Sequence, residues 1–249
     1  MTQVAIASLN FLYINNLQLS WGSNTSLVVN AGQARDLTNL VDLSLPITTT
    51  LDATINGLNG LDTGALANNT NYVVYLIGDS SEYRANGLLL SASFTAPSLP
   101  FGYDVFRALG YVRTNGSANF LKFYQTGNAT KRTNYWDAGI DVLLGGIETV
   151  FTAVDCSAAV IPVDNTAVVF HVDFSPAAGG DAVLFRPTGS TATTAQQVDV
   201  VSSVTTSNAQ SLQMKMLTKL SGGLPKIDYQ NSALLCQTNL YVRAYDYYL

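Results

Sequence analysis

The amino-acid sequence predicts an all-β protein made of two antiparallel, jelly-roll-like β-sandwich domains with very little helix. Short runs in which apolar and polar residues alternate recur along the chain, and Gly, Asn, Asp, Ser or Pro residues separate them. Each run has the length of a strand, whereas residues 35–41 could form only one or two helical turns. No repeat of fixed period occurs, which argues against a β-helix or a propeller.

The composition favours a protein that associates with copies of itself. The chain has 249 residues, enough for one large all-β domain or two smaller ones, but only 12% of them are Asp, Glu, Lys or Arg. That is about half the usual charged share of a soluble domain. Neutral polar residues solvate part of such a surface, and further copies of the chain can cover its apolar faces.

The charge distribution and hydropathy exclude two classes of partner. The net charge is −5, and the twelve basic residues are scattered rather than gathered in a stripe, so we expect no nucleic-acid binding. No uninterrupted apolar run reaches about 20 residues, so we expect no membrane insertion. The first ten residues lack the positively charged region of a secretory signal.

Changes in composition predict the domain boundaries. Residues 1–19 are a candidate docking arm, residues 20–126 form the N-terminal sandwich, and residues 135–249 form the C-terminal jelly-roll-like sandwich. Residues 127–134 lack apolar periodicity and are predicted to link the two. The polar residues 188–197 are expected to cross between sheets of the second domain.

Two turns can be predicted from their dipeptides. Asn115-Gly116 lies between apolar runs and is the pair preferred where both central residues of a hairpin need positive φ, so it predicts a hairpin. Gly222-Gly223 likewise separates residues 214–217 from residues 226–229 and relieves the backbone at a bend.

The only histidine does not carry the pattern of a hydrolase. Strand alternation places Phe170, Val172 and Phe174 on one face, with His171 and Asp173 on the other. A serine hydrolase would also need a nucleophile on a sharp elbow such as G-x-S-x-G, and the chain has none. His171 is therefore predicted to be a surface or subunit-interface residue.

The remaining chemical motifs predict no catalytic residue, no metal and no cofactor. One histidine and two distant cysteines cannot form a zinc site, and neither a D-x-D-x-D-G loop nor a phosphate-binding glycine loop occurs. Carboxylates near aromatic residues, at 79–82, 137 and 246, are the candidates for a glycosidase pair, which the sequence cannot place together. Cys156 and Cys236 are predicted to be buried free thiols on adjacent strands, with a disulfide as the alternative.

The C-terminal strand holds the candidate contact residues. Alternation points Leu240, Val242 and Ala244 inward and places Tyr241, Arg243 and Tyr245 together on the opposite face. Tyrosine and arginine are enriched at interface anchors, so this face predicts contact with another subunit, with plain surface and glycan contact as the alternatives. Trp136, Tyr245 and Tyr247 are the candidates for stacking on sugar rings.

The stretch from Leu61 to Gln125 carries a family resemblance. Its motifs are Leu61-Asp62-x-Gly64, Tyr72-x-x-Tyr75-x-Ile77-Gly78-Asp79, Gly87-Leu-Leu-Leu-Ser91, Thr95-Ala-Pro97, Leu99-Pro100-x-Gly102-Tyr103 and Arg107-x-x-Gly110, leading to Phe120 and Gln125. This pattern, about a quarter of the chain, resembles a β-module of tail-fibre, spike and head-decoration proteins of tailed bacteriophages. The C-terminal half is similar, more faintly, to the jelly-roll-like sandwiches of trimeric phage knobs.

The resemblance implies a function as well as a fold. It implies a non-enzymatic structural component of a virion assembled in the bacterial cytoplasm: an oligomeric decoration, collar or fibre protein, expected to be a homotrimer that binds other virion proteins. The alternative is a receptor-binding module for a bacterial surface glycan. A polysaccharide-degrading enzyme is the third hypothesis. The resemblance supplies no catalytic residue, so the matched residues are expected to be architectural.

Overall fold

The computed structural model describes residues 13–128, 130–191, 198–201 and 210–249. None of these residues lies in a helix, and the strands pair antiparallel apart from one short parallel pairing, so the all-β prediction is confirmed. The jelly-roll arrangement of the sheets stays a prediction. Two compact units are present: unit 1 runs up to Arg132 and includes Tyr248 and Leu249, and unit 2 is Thr133–Tyr247.

Unit 1 contains eleven strands among its described residues. They are β1 (Ile14–Asn16), β2 (Leu19–Trp21), β3 (Ser26–Val29), β4 (Gly32–Arg35), β5 (Asp42–Leu45), β6 (Thr49–Asp52), β7 (Gly60–Leu61), β8 (Asn71–Gly78), β9 (Gly87–Ser91), β10 (Val105–Arg113) and β11 (Phe123–Gly127). Three sheets have the orders β1-β4-β5, β2-β3-β6 and β10-β8-β9-β7. Of the predicted docking arm, residues 1–12 lie outside the described residues, and the remainder includes β1.

The central strand of unit 1 is covered on both faces. In β8 every residue from Tyr72 to Gly78 is buried, which explains its nearly continuous apolar sequence. The Tyr75 ring meets the Phe106 ring edge-on, with centroids 5.4 Å apart. Aromatic pairs in this geometry add attraction beyond the area they bury. The core of unit 1 is therefore centred on β8.

A buried arginine joins separate segments of unit 1. The side chain of Arg132 is 1% exposed, and its guanidinium group donates to the carbonyls of Asn16 (2.6 Å), Leu17 (2.7 Å) and Leu109 (3.0 Å) and to Gln125 Oε1 (3.0 Å). Asn16 and Leu17 both have positive φ, and Leu109 is a bulge residue that the β8–β10 register skips. These irregularities free carbonyls from regular ladders, and Arg132 satisfies them.

The residues at 35–41 form a carboxylate-centred turn instead of the short helix considered from sequence. Asp36 is buried and accepts hydrogen bonds from the backbone N–H groups of Thr38, Leu40 and Val41. Burial raises the pKa of Asp36, but the Thr38 hydroxyl and these N–H groups outweigh it, and the net pKa is lowered. The ionised side chain thus replaces the helical hydrogen bonds that the segment would otherwise need.

The turn predicted at Asn115-Gly116 exists, but it is not a two-residue hairpin. One bridge, Thr114–Phe120, closes it, and the residue with positive φ is Ala118 rather than Gly116. Asn115 Oδ1 accepts from the N–H groups of Ser117 and Asn119, which stabilises a longer loop. The predicted partner strand therefore does not pair along β10, and β11 belongs to another sheet.

Unit 2 is built from the remaining strands. They are β12 (Lys131–Gly146), which begins in unit 1, β13 (Thr152–Asp155), β14 (Ala167–Ser175), β15 (Ala182–Pro187), β16 (Val198–Val201), β17 (Gln210–Leu217), β18 (Lys219–Ser221), β19 (Leu224–Asn231) and β20 (Gln237–Tyr248). In one sheet, the strands β12, β20, β14 and β17 are neighbours in that order. A second sheet has the order β13-β19-β15-β16, and β18 also pairs with β19. The Gly222-Gly223 turn is confirmed: both glycines have positive φ and join β18 to β19. Of the predicted crossover, residues 192–197 lie outside the described residues.

We predict that Arg132→Met destabilises unit 1 by about 3 kcal/mol or more, because it leaves several buried carbonyl oxygens without a donor. Urea unfolding followed by circular dichroism measures the change. Arg84→Met, on an exposed loop, is the control and should stay within about 0.5 kcal/mol of the parent. Equal stability of the two variants would contradict the role given to Arg132.

Candidate functional site

A β-bulge changes which side chains of the C-terminal strand are exposed. β14 pairs with β20 so that Val169 faces Ala244 and Phe170 faces Val242, which leaves Arg243 as an extra residue. One extra residue interrupts the alternation of a strand. Leu240, Val242 and Ala244 are buried as predicted, but after the bulge every residue from Ala244 to Tyr247 is buried, and Tyr245 is therefore buried as well. The predicted exposure of Tyr245 beside Tyr241 and Arg243 is therefore wrong.

The three aromatic residues predicted to stack on sugars form a buried cluster. The Tyr245 ring centroid lies 5.9 Å from those of both Trp136 and Tyr247, and all three side chains are at most 5% exposed. Trp136 Nε1 donates to the Ala159 carbonyl (3.1 Å), and Asn134 Nδ2 donates to the Tyr245 hydroxyl (3.0 Å). The polar atoms of Trp136 and Tyr245 are used inside unit 2, and all three rings are buried, so they are core residues of the described chain.

Tyr241 and Arg243 remain at the surface of unit 2. A Cβ atom added to Gly139 would lie 3.1 Å from Arg243 Nη1 and 3.3 Å from Tyr241 Cβ, so this glycine makes room for both side chains. Burial, followed by the carboxylates of Asp173 and Asp141, raises the pKa of Tyr241. Its hydroxyl therefore stays protonated at neutral pH and is available as a donor.

His171 and Asp173 lie on the exposed face, as the alternation predicted. His171 Nε2 is 3.1 Å from Asp173 Oδ1, and the His171 and Tyr241 ring centroids are 5.8 Å apart. Ser211 donates its hydroxyl hydrogen bond to the same Asp173 oxygen. A hydrolase needs the serine hydroxyl on the imidazole and the carboxylate behind it. Here the carboxylate receives both groups, which is not the order of a catalytic triad.

The carboxylates considered for glycoside cleavage have different surroundings. Asp79 and Glu82 line an open depression of about 590 Å3 in unit 1, together with Asp42 and Arg84. In unit 2, Asp246 is buried and accepts from Thr133 Oγ1 and Lys215 Nζ, both at 2.7 Å. Among the described residues, no group of three His, Cys, Asp or Glu side chains is arranged to hold a metal ion.

Both cysteines are buried free thiols, as predicted, but they are not on adjacent strands. Cys156 follows β13 and Cys236 precedes β20, and these strands belong to different sheets. Burial, with a smaller contribution from Asp155, raises the pKa of Cys156 to about 12. Burial also raises the pKa of Cys236. Both thiols are therefore protonated at neutral pH.

Sequence reasoning missed a cleft in unit 1 that has two aromatic walls. It measures about 230 Å3 and lies between β2 and β11, and we call it the aromatic cleft; its lining residues are Gln18, Leu19, Ser20, Trp21, Asn30, Lys122, Phe123, Tyr124 and Gln125. Lys122 Nζ lies 5.8 Å from the Trp21 ring centroid and 5.7 Å from that of Tyr124. The signal that could have found it is the alternation of Lys122 and Tyr124 about the buried Phe123.

Comparisons with protein-family models, with curated proteins and with solved structures found no match to this chain. The described part of the chain contains no helix of the length and apolarity needed to cross a membrane. Among the described residues, the exposed face of unit 2 around Tyr241 and Arg243 and the aromatic cleft of unit 1 are surfaces that a partner could contact.

We predict that Trp136→Ala destabilises the protein by about 3–5 kcal/mol, because it empties a buried aromatic site. Tyr241→Ala, on the exposed face, should cost less than about 1 kcal/mol. Urea unfolding followed by circular dichroism compares the two. Similar small losses in both variants would show that Trp136 is not a core residue.

We also predict that neither thiol of the folded protein reacts with a thiol-specific disulfide reagent at about pH 8, because both are buried and protonated. Unfolding in guanidinium should release both thiols of each chain. Rapid labelling of the native protein would contradict the burial of the labelled cysteine.

Proposed function

We propose that this chain is a non-enzymatic structural component of a tailed-phage virion, which is assembled in the bacterial cytoplasm and acts as a homotrimer bound to other virion proteins. The resemblance of Leu61–Gln125 to the phage β-module motivates the proposal. The main support for the proposal is structural: the matched residues make contacts that hold unit 1 together.

The polar matched residues make hydrogen bonds within the scaffold. Asp62 Oδ2 accepts from Ser91 Oγ (2.5 Å) and from the Ser98 N–H group (3.2 Å), which fixes the loop that follows β9. The Tyr103 hydroxyl donates to the Ala85 carbonyl (3.0 Å) and joins two loops. These bonds support an architectural role for the module.

One glycine and one proline of the module, Gly102 and Pro97, also serve its backbone. Gly102 has φ of 86°, and a Cβ atom there would lie 2.2 Å from Arg84 Nε, so a larger residue would be strained. Pro97 is buried in the same loop. Residues that fix the module's own shape suit a particle component, since such a protein must keep one shape over many copies.

An exposed apolar surface in unit 2 supports association with further copies. We call it the apolar edge, and it consists of Leu144, Ile147, Val150, Leu234 and Leu235, each about half exposed or more. Its two segments are joined by Asn231, whose N–H donates to the Glu148 carbonyl and whose side chain donates to the Gly146 carbonyl. Large aliphatic side chains held in place at a surface are typical of protein contacts.

Low charge and the face around Tyr241 and Arg243 agree with the same proposal. Charged residues are depleted at the cores of interfaces, whereas tyrosine and arginine are enriched there. With only 12% charged residues, the chain leaves much of its surface suitable for burial against a neighbour. The proposal therefore rests on contacts between subunits and not on a reaction.

We predict that the parent protein forms trimers at micromolar concentration, and that the double variant Leu234→Asp/Leu235→Asp is a monomer, because burial of two carboxylates in an apolar contact is unfavourable. Size-exclusion chromatography with light scattering measures the mass. Leu40→Asp, an equally exposed leucine in unit 1, is the matched control and should leave the trimer intact. A parent protein that stays monomeric at high concentration would contradict the proposal.

A further inference from the structure

The chain contains four Asn-Gly dipeptides, and the same spontaneous reaction is open to each of them. They are Asn56-Gly57, Asn59-Gly60, Asn86-Gly87 and Asn115-Gly116. The backbone nitrogen of the glycine can attack the side-chain carbonyl carbon of the asparagine and close a succinimide ring, because the chain holds the two atoms close together. Glycine favours this attack, since it has no Cβ atom to shield its nitrogen. The surroundings of the four pairs differ in the structure.

In three of the pairs, backbone structure holds the glycine in place. The Gly57 N–H group donates to the Leu61 carbonyl (2.7 Å), and the Gly60 N–H group donates to the Gly57 carbonyl (2.9 Å). Gly87 is buried in β9, where it pairs with Ile77 of β8. The attack requires the N–H group to lose its proton and to turn towards the side chain, and both changes break such backbone hydrogen bonds. We therefore expect these three pairs to be protected.

Gly116 has different surroundings from the other three glycines. It is exposed in the loop that the Thr114–Phe120 bridge closes, and its N–H group donates to no acceptor among the described residues. Backbone hydrogen bonds hold the residue before it: the Asn115 N–H group donates to the Asn119 carbonyl (2.9 Å), and the Asn115 carbonyl accepts from the Ala118 N–H group (3.1 Å). The nitrogen is thus accessible to water beside an asparagine of fixed position.

Two backbone N–H groups donate to the oxygen on which charge develops during the attack. Asn115 Oδ1 accepts from the N–H groups of Ser117 (2.9 Å) and Asn119 (3.1 Å). When the Gly116 nitrogen bonds to the carbonyl carbon, negative charge moves onto this oxygen. Backbone donors that are already in place stabilise such a charge without reorganisation, as in the oxyanion hole of a hydrolase. Asn59 Oδ1, by comparison, accepts one such hydrogen bond (2.9 Å).

We propose that Asn115-Gly116 is a self-modification site, at which the folded chain converts Asn115 into aspartate and isoaspartate. The Gly116 nitrogen gives its proton to water and bonds to Asn115 Cγ. The Cγ–Nδ2 bond then breaks, and the Nδ2 atom takes up a proton and leaves as ammonia. This inference goes beyond the proposed structural role and does not depend on it.

Water completes the reaction by opening the succinimide ring. Addition of water to Cγ breaks the new bond to the Gly116 nitrogen and gives aspartate. Addition to the main-chain carbonyl carbon of residue 115 breaks the original peptide bond and gives isoaspartate. In sum, one asparagine and one water give one carboxylic acid and one ammonia, with no oxidation or reduction.

The two products affect the loop differently. An aspartate at residue 115 keeps an oxygen that accepts from the Ser117 and Asn119 N–H groups, so the loop can stay closed. In isoaspartate the main chain runs through Cγ, so the oxygen that accepted these hydrogen bonds becomes part of a longer backbone. Either product adds one negative charge to the loop, and the converted fraction of the protein increases with its age.

Peptide mass spectrometry of the full chain tests the proposal. The protein is incubated at mildly alkaline pH in oxygen-18 water, which labels each new carboxylate, and is then digested and fragmented. We expect Asn115 to be labelled at least roughly tenfold faster than the asparagines of the other three pairs. In urea that unfolds the chain, all four pairs should react at comparable rates, and Asn115 should react no faster than it does in the folded chain.

Gly116→Ala is the variant that separates the reaction from folding. A Cβ atom at residue 116 would lie 3.8 Å from its nearest neighbour, in Asn69, so the variant should unfold at the parent's urea midpoint. Its labelling at Asn115 should be at least roughly tenfold slower, because the methyl group shields the nitrogen. Asn115→Asp, which is one product, should also keep the parent's midpoint, whereas Asn115→Ala loses both accepted hydrogen bonds and should unfold at a lower urea concentration.

Three outcomes would overturn the proposal. The first is a folded chain in which Asn115 is not labelled, or in which another Asn-Gly pair is labelled earlier. The second is faster labelling of Asn115 in urea than in the folded chain, which would show that the loop protects this residue. The third is an unchanged rate in Gly116→Ala, which would show that water attacks the side chain directly and that no ring forms.

Discussion

The guanidinium group of Arg132 holds together the parts of unit 1 that regular strand pairing leaves apart. It donates to the carbonyls of the Asn16–Leu17 bend, to the bulge carbonyl of Leu109 and to the side chain of Gln125. A buried cation is costly, and this one is offset by acceptors that would otherwise be unsatisfied themselves. Because Gln125 also accepts from the Leu19 N–H group, the same network sets the spacing of the strands that carry the aromatic cleft.

A β-bulge explains why the alternation of polar and apolar residues predicted only part of the structure correctly. The all-β fold and the Gly222-Gly223 turn could be predicted, because alternation and glycine chemistry are local properties. The alternation of β14 was also predicted correctly, since that strand has no extra residue. The Arg243 bulge could not be predicted, because it is specified by pairing with β14, and it moved Tyr245 and Tyr247 from the surface to the core.

The candidate binding surfaces also show that prediction from a single stretch of sequence finds only part of a site. Tyr241 and Arg243 were predicted from a single strand to lie on its outer face, and there Arg243 is exposed and Tyr241 is half-buried. The aromatic cleft joins residues 18–30 to residues 122–125, so no local window contains it. Asn115-Gly116 shows the converse: its dipeptide favours a tight hairpin, but the Asn115 carboxamide accepts two backbone N–H groups and stabilises a longer loop. In such cases, the structure depends on contacts that the local sequence pattern does not show.

We propose that the chain is a structural part of a virion. Quantitative mass spectrometry of purified phage particles whose genome encodes this chain tests it most directly. The account predicts a fixed copy number per particle that is a multiple of three, as a trimer requires. Presence of the chain in the infected-cell lysate together with its absence from purified particles would contradict the account.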